Sequence, residues 1–303
     1  MIKKTYLQSA DALGSNVELR LSTSDPNLAN SWFVKLWDEI SEFEKDFSRF
    51  KNDSKLSRFN NKAGERVPIS KTFELILKRA KDFSQTTEGL FNPFVLPALQ
   101  KSGYVHSMTS LVFGPDYSGR ELVDWKLLEI GDGWAQVPPD TALDLGGIGK
   151  GFLADKLADL LENNLPDYCL SLGGDIRVGG LDGADSWKID IESPQKDSEP
   201  QFFYTNTKQI WGIATSGATR EKSRRKQQHL IDPATGTSVT SPAICTVVAK
   251  DATAADVLAS CILIAGEDLA VQLHTKAIID GVLLQEENGR AFLLGAGFFQ
   301  NHE

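Results

Sequence analysis

Cysteine, histidine and long apolar runs are all scarce in this sequence. Its three cysteines, Cys169, Cys245 and Cys261, are odd in number and far apart. That excludes a disulfide framework and any zinc-finger spacing; set in apolar runs, they read as buried reduced thiols. No apolar stretch reaches the length of a membrane span. Met1-Ile2-Lys3-Lys4-Thr5-Tyr6 leads straight into a strand-like segment, with no apolar export region and no early cysteine for lipidation. The expectation is a cytoplasmic location, or an exported one if a leader has been trimmed away. Basic charge is short as well: 32 Lys and Arg stand against 41 Asp and Glu, a net charge of −9. A nucleic-acid surface normally needs a basic face, so that class is set aside. The one dense basic cluster, Lys222, Arg224, Arg225 and Lys226, reads as a solvated hairpin loop or as a patch for phosphates or an acidic protein partner.

What the chain does have is size and an apolar pattern. At 303 residues with 41% hydrophobic residues it can bury a substantial core, as one domain over 1–303 or as two intimate subdomains. Its organising stretch is Ala142-Leu143-Asp144-Leu145-Gly146-Gly147-Ile148-Gly149-Lys150-Gly151. Thr141 to Leu145 reads as a buried strand end. The glycines allow a tight turn and close approach of another group. Beyond them Leu153, Leu157, Leu160, Leu161 and Leu165 fall at helical spacing, with Asp155, Lys156, Asp159 and Glu162 mostly opposite. A strand, a glycine turn and a helix N-terminus can bind an anion through free N–H groups; the same turn also serves packing alone. The stretch matches neither the P-loop nor the dinucleotide fingerprint, because Gly151 follows Lys150 and the last glycine spacing is absent.

Along the chain, residues 4–9 and 16–22 bracket Gly14-Ser15-Asn16 as a hairpin. Asp25-Pro26 starts a long helix whose Leu28, Trp32, Leu36, Ile40, Phe43 and Phe47 make one packing stripe. Ser70 caps a second helix carrying Phe73, Ile76, Leu77, Ala80 and Phe83 on one face. Asn92-Pro93 opens a shorter helix that Pro97 is expected to limit. Hairpins are expected over 127–137 and 168–178, with strands over 187–191, 202–206, 209–214 and 244–249. Thr253 is expected to cap a helix through Ala265. Another helix follows over 268–277, then a closing hairpin over 282–294. Strands grouped in hairpins between long helices favour an α+β fold of mixed or antiparallel sheets over a doubly wound one.

Three constellations bear on chemistry. Asp256 and Ser260 sit one turn apart on an almost wholly apolar helix, and a buried carboxylate must be paired, hydrogen-bonded or metal-bound. Two oxygen side chains on one face suit a hard cation such as Mg²⁺; a tie to neighbouring backbone or a lysine is the alternative. The polar loop from Phe47 to Asn60 carries aromatics that suggest a wall for a flat ring; helix capping and packing also explain them. His229, before Leu230-Ile231-Asp232-Pro233, is either a packed or surface histidine or a catalytic one.

Taken together, Asp144-Leu145-Gly146-Gly147-Ile148-Gly149-Lys150-Gly151, Leu172-Gly173-Gly174-Asp175, Thr215-Ser216-Gly217, His229-Leu230-Ile231-Asp232-Pro233-Ala234-Thr235-Gly236 and Ala255-Asp256-Val257-Leu258-Ala259-Ser260 resemble, in this order, the motifs of the ApbE-like FAD:protein FMN transferases. Leu13-Gly14-Ser15, Asp53-Ser54 with Asn60, and Thr87-Glu88-Gly89-Leu90-Phe91-Asn92-Pro93 match weaker features of that family. The resemblance spans nearly the whole chain.

It implies a T-fold-related architecture around an FAD cleft. It also implies a reaction: FAD is cleaved at its pyrophosphate, FMN is joined to a Ser or Thr of a partner flavoprotein, and AMP leaves. Mg²⁺ is implied too, on Asp256 and Ser260 with backbone oxygens of Gly147 and Ala259. Leu13, Phe50, Leu90, Phe91, Asn92, Asp144, Lys150 and Leu230 would line the FAD site, and His229 would accept the acceptor hydroxyl's proton. The same motifs allow an Mg²⁺-dependent FAD pyrophosphatase or a non-catalytic FAD binder. The chain departs from the usual pattern at Ser260 (commonly Thr), Gly149 (often Ala) and Asn92 (commonly Asp), and it lacks an aromatic after Thr215-Ser216-Gly217.

Overall fold

The computed structural model describes residues 2–106, 113–195, 199–200, 202–205, 211–217, 230–239, 243–295 and 297–301. Its helices are α1 (Pro26–Phe47), α2 (Lys55–Asn60), α3 (Lys71–Thr86), α4 (Leu96–Lys101), α5 (Gly149–Leu161), α6 (Ala252–Ala265) and α7 (Glu267–Thr275). Its strands are β1 (Lys4–Ala12), β2 (Ser15–Thr23), β3 (Val67–Pro68), β4 (Glu129–Gly131), β5 (Trp134–Gln136), β6 (Tyr168–Leu172), β7 (Asp175–Gly179), β8 (Lys188–Ile191), β9 (Phe202–Thr205), β10 (Trp211–Gly217), β11 (Ile231–Asp232), β12 (Thr237–Ser238), β13 (Ala243–Ala249), β14 (Gly281–Glu286), β15 (Ala291–Leu294) and β16 (Phe299–Asn301). Two units divide the chain: the first holds residues 1–42, 150–217 and 241–303, the second residues 43–149 and 218–240.

The first unit is built on an eight-stranded sheet in the order β1-β2-β6-β7-β10-β13-β14-β15, every neighbour antiparallel. In β2, Val17, Leu19 and Leu21 are fully buried and alternate with more exposed residues, the period-two signature of a half-buried strand. Helix α6 packs on β10 and β13. It has no polar face to give to solvent, so from Ala252 to Leu263 only Ser260 escapes full burial. A second sheet, β16-β9-β8, closes over Trp187, Tyr204, Ile191 and Phe299.

The second unit gathers α2, α3 and α4 with the small sheet β3-β5-β4 and the hairpin β11-β12. Ser70 caps α3 as expected, accepting from the Phe73 N–H at 3.3 Å. Phe73 receives the edges of Phe47 and Phe59, each with ring centroids 5.3 Å away, so the aromatic stripe is core. Glu74 is almost wholly covered, yet it stays charged. It accepts from Lys78 at 2.5 Å, Lys71 at 3.2 Å and the Gly133 N–H at 3.2 Å, tying α3 to the β4–β5 turn. The lysine and backbone donors, Lys78 foremost, hold its pKa down to about 2 from 4.5. A depressed carboxylate stabilises the fold above its unfolded value, and that stability is lost as pH falls through the folded value. Glu74→Gln is therefore expected to lower the melting temperature at neutral pH. In melting curves taken across the acid range, the gap to wild type should close between about pH 4.5 and about pH 2. A gap that persists at the acid end would remove the role.

The α+β class and the hairpin grouping are as expected, with several local differences. Leu13 and Gly14, at φ 55° and 72°, form the tip of the first hairpin, as a two-residue turn between right-twisted strands requires. Pro97 does not limit a helix. A 3₁₀ turn over Pro93–Val95 precedes α4, and Pro97 falls in its first turn, where a missing N–H costs nothing. Asp251, not Thr253, caps α6 and accepts the Ala254 N–H at 2.7 Å. Thr215-Ser216-Gly217 continues β10 instead of ending it earlier. Residues 206–210, part of the expected strands, lie outside the described residues.

Thr141 to Leu145 joins no sheet. Thr141 makes a lone bridge to Glu121. The Asn60 side chain pairs with both backbone groups of Leu143, donating to its C=O and accepting its N–H, each at 2.9 Å. A buried amide thus does what a neighbouring strand would do.

Candidate functional site

In the second unit, the organising turn leaves Leu143 with Asp144 pointing into protein. The Asp144 N–H is held by the Pro93 C=O at 2.7 Å, just after Asn92. Asn92 itself caps the 3₁₀ turn, accepting the Phe94 N–H at 2.9 Å and donating to the Val123 C=O at 2.8 Å. One carboxylate oxygen of Asp144 meets Arg49 Nη1 at 2.8 Å, and the other accepts the Gly146 N–H at 3.0 Å. Arg49 lies over the rings of Tyr104 and Phe50, its guanidinium carbon 4.3 Å and 4.8 Å from their centroids. Phe91 stands against Gly147: a Cβ there would lie 3.6 Å from the Phe91 ring. Leu90 follows Glu88 and Gly89, both in the left-handed region, which turns the chain out of α3. Leu230 is buried, and the next residue, Ile231, packs in a cluster with Ala98 and Leu99 that Tyr104 borders. This unit therefore brings Phe50, Phe91, Asn92 and Asp144 to one turn.

In the first unit, Lys150 opens α5 and forms an ion pair with the buried Asp175 at the start of β7. A Cβ on Gly173 would lie 2.5 Å from Ser15 Oγ and 3.6 Å from Lys150 Cδ. Ser15, just after the hairpin tip that carries Leu13, thus lies against the Gly173-Gly174 turn, which the Lys150 stem also approaches. On α6, Asp256 is buried and accepts the Gly151 N–H at 3.2 Å. Burial first, and then the neighbouring Asp175, push its pKa well above the carboxylate range; Lys150 and the Gly151 N–H pull the other way. Ser260, one turn further on, shares a hydrogen bond of 3.1 Å with Ser216 of β10. Ala259 beside it is fully buried.

The middle of α5 is pinned to the start of α6. Asp155 of α5 accepts the Ala252 N–H at 2.8 Å and the Thr253 N–H at 2.9 Å, and pairs with Arg177 at 3.4 Å. Free N–H groups at the start of α6 are thereby satisfied by the neighbouring helix.

A metal can be weighed against these groups. Among the described residues, no three of His, Cys, Asp and Glu converge. What α6 offers is one buried carboxylate whose charge is undercompensated and one hydroxyl. Such a sparse oxygen set fits Mg²⁺, which keeps waters and takes substrate phosphates for the rest of its shell. His229 and the basic cluster from Lys222 to Lys226 lie outside the described residues.

Four residues with a part in this geometry were not singled out from sequence as site residues: Arg49, Tyr104, Asp155 and Asp175. Asp175 stood in a noted turn and Arg49 in the noted aromatic loop. Asp155 read as solvated, on the polar side of an amphipathic helix. Tyr104 lies in residues 102–120, which carry no regular spacing in sequence.

The ApbE family matches residues 13–282. The FAD:protein FMN transferase of Vibrio cholerae is 30% identical over 246 residues, covering 76% of this chain and 72% of that protein. That of Haemophilus influenzae is 29% identical over 272 residues, covering 80% and 76%. The solved structure titled as flavin transferase ApbE from Vibrio cholerae superposes with a TM-score of 0.79 at 25% identity, over 98% of this chain and 99% of that one. No helix of the described residues is long and apolar enough to cross a membrane.

Proposed function

The chain belongs to the ApbE family of flavin transferases and is an enzyme, and from that premise we propose that it moves FMN from FAD to a Ser or Thr of a partner flavoprotein, in an Mg²⁺-dependent reaction that releases AMP. The observation that carries this reading is the junction of α5 and α6. There Asp256 is held by the Gly151 N–H, with Lys150 paired to Asp175 alongside and Ser260 one turn away.

Asp256 and Ser260, with the Ala259 backbone, would hold the metal. Mg²⁺ there would neutralise pyrophosphate charge and favour departure of AMP. Lys150, paired with Asp175, would meet phosphate oxygens as charge builds on them. The start of α5 adds a helix N-terminus of the right sign for an anion. Leu13, Phe50, Leu90, Phe91, Asn92, Asp144 and Leu230 are the proposed flavin contacts. The rings of Phe50 and Phe91 give flat apolar faces, and Asp144 is a fixed acceptor. Proton removal from the acceptor hydroxyl is assigned to His229, since a neutral imidazole is the side chain best suited to take a proton near neutral pH.

Two measurements test this reading. Protein incubated with FAD and Mg²⁺ should release AMP slowly alone and faster with a flavin-accepting protein. Equal rates with and without acceptor would make it a pyrophosphatase; no AMP in either would leave a binder. His229→Gln is expected to slow FMN transfer roughly a hundredfold, the scale of a lost general base, with FAD affinity near wild type. Near-normal transfer, or a loss explained wholly by weaker FAD binding, would reject that role.

A further inference from the structure

We infer that Arg49 is a positioning residue for FAD binding, one that sets the Asp144 carboxylate and the Phe50 and Tyr104 rings without touching the reacting atoms. The inference rests on the flavin-transferase reading above. Only 9% of the Arg49 side chain and 5% of that of Asp144 remain exposed. A cation so enclosed has lost most of its water and persists only where its surroundings replace it.

Here the replacement is threefold. Asp144 Oδ1 accepts from Arg49 Nη1 at 2.8 Å. The Tyr104 and Phe50 rings face the guanidinium at 4.3 Å and 4.8 Å. Those rings meet edge to face, with an interplanar angle of 83° and centroids 6.3 Å apart, so the planar guanidinium fills the corner between them. Burial works against the charge, but Asp144 and Tyr104 more than offset it, and the group is held above its ordinary value.

The pair is continuous with the organising turn. Asp144 Oδ2 accepts the Gly146 N–H at 3.0 Å, so the aromatic corner, the guanidinium, the carboxylate and the glycine turn form one chain of contacts. The backbone around Arg49 is fixed too. A Cβ on Gly114 would lie 2.1 Å from the Arg49 carbonyl oxygen, an approach only glycine permits. Phe50 and Tyr104 stay partly exposed while the cation between them is covered. The rings thus keep a surface for a flat ligand, and Arg49 holds their mutual angle.

Lysine can keep an ion pair with Asp144, but a compact point charge cannot lay a flat face into the corner between two rings while bonding the carboxylate. Methionine keeps apolar bulk but leaves Asp144 without its cation. The test compares wild type, Arg49→Lys, Arg49→Met and the double variant Arg49→Met with Asp144→Asn. FAD affinity is read from quenching of flavin fluorescence, KM and kcat from AMP release, and folding from thermal melts. Arg49→Lys is expected to melt near wild type yet raise Kd and KM for FAD about tenfold, with kcat falling less than KM rises. The double variant also loses the Asp144 carboxylate, itself a proposed flavin contact, and should bind FAD no better than Arg49→Met.

Unchanged Kd and KM in folded Arg49→Lys would overturn the inference. A fall in kcat alone would do so as well, because Arg49 would then act at the reacting atoms. Parallel losses in melting, affinity and rate would reduce it to a structural residue. Wild-type protein that binds no FAD would overturn both this inference and the function it rests on. Wild type that binds FAD and releases AMP, beside variants that bind equally well, would overturn this inference alone.

Discussion

Asp256→Asn is expected to abolish measurable AMP release from FAD while the protein stays folded. The substitution keeps the shape and still offers an oxygen to the Gly151 N–H, now at 3.2 Å from the carboxylate. What it removes is the negative charge that a hard cation needs. Loss of even an outer partner of a metal site costs about ten- to a hundredfold, so loss of the one carboxylate on α6 should exceed that.

Stability should move the other way. Burial raises the folded pKa of Asp256 above its unfolded value of 3.8, so at neutral pH the ionised group opposes folding. A neutral amide removes that opposition. Asp256→Asn should therefore melt at or above wild type near neutral pH, with the difference vanishing as the pH falls below the unfolded value. A second readout needs no turnover: Mg²⁺ should raise the melting temperature of wild type and leave that of Asp256→Asn unmoved, because only a native state that binds the ion gains from it. Full turnover in folded Asp256→Asn protein would sink the metal assignment.

Gly151→Ala should be nearly as damaging, by a different route. A Cβ at Gly151 would lie 2.5 Å from the Ala252 carbonyl oxygen and 2.9 Å from Asp256 Cβ. The first of these is backbone, and Asp155 holds that backbone through the Ala252 and Thr253 N–H groups. Helix α6 cannot yield without losing those bonds. Overpacking of this kind costs about 1–3 kcal/mol, against a helix-propensity gain of about 1 kcal/mol for replacing glycine. Since the obstacle is pinned backbone, the net effect should be a melting temperature lower by a few degrees. Because the shift falls on Asp256 itself, AMP release should drop at least about tenfold and the Mg²⁺ effect on melting should shrink. Gly149→Ala is the control. Its Cβ would meet only the Phe43 ring at 3.6 Å, an ordinary contact, so melting and turnover should stay near wild type. Equal behaviour of the two variants would show that the α5–α6 contact does not set the position of Asp256.

Much of this arrangement is legible in sequence, and what is not has identifiable causes. The stripes of α1, α3 and α5 follow from apolar spacing, and Ser70 from capping preference. Asp256 stood out because a carboxylate inside an apolar helix demands a partner. The cap of α6 was misplaced because Asp251 and Thr253 are both good capping residues, and the choice turns on Asp155, 98 residues from Thr253 in the chain. Asp155 itself looked like ordinary polar-face charge, since an amphipathic pattern cannot distinguish water from a neighbouring helix end. The Arg49–Asp144 pair is separated by 95 residues, and neither partner carries a local signal for the other. Thr141–Leu145 read as a strand because its apolar content is strand-like; that a side-chain amide, Asn60, would take the place of a neighbouring strand has no signature in spacing.

The most direct test of the central claim follows both products in one reaction. Protein, FAD and Mg²⁺ are mixed with a flavin-accepting protein domain; AMP is quantified, and the intact mass of the acceptor is recorded. The account predicts equal amounts of AMP and of acceptor heavier by FMN less water, with neither formed when Mg²⁺ is chelated. AMP without modified acceptor, or modification that persists in chelator, would contradict it.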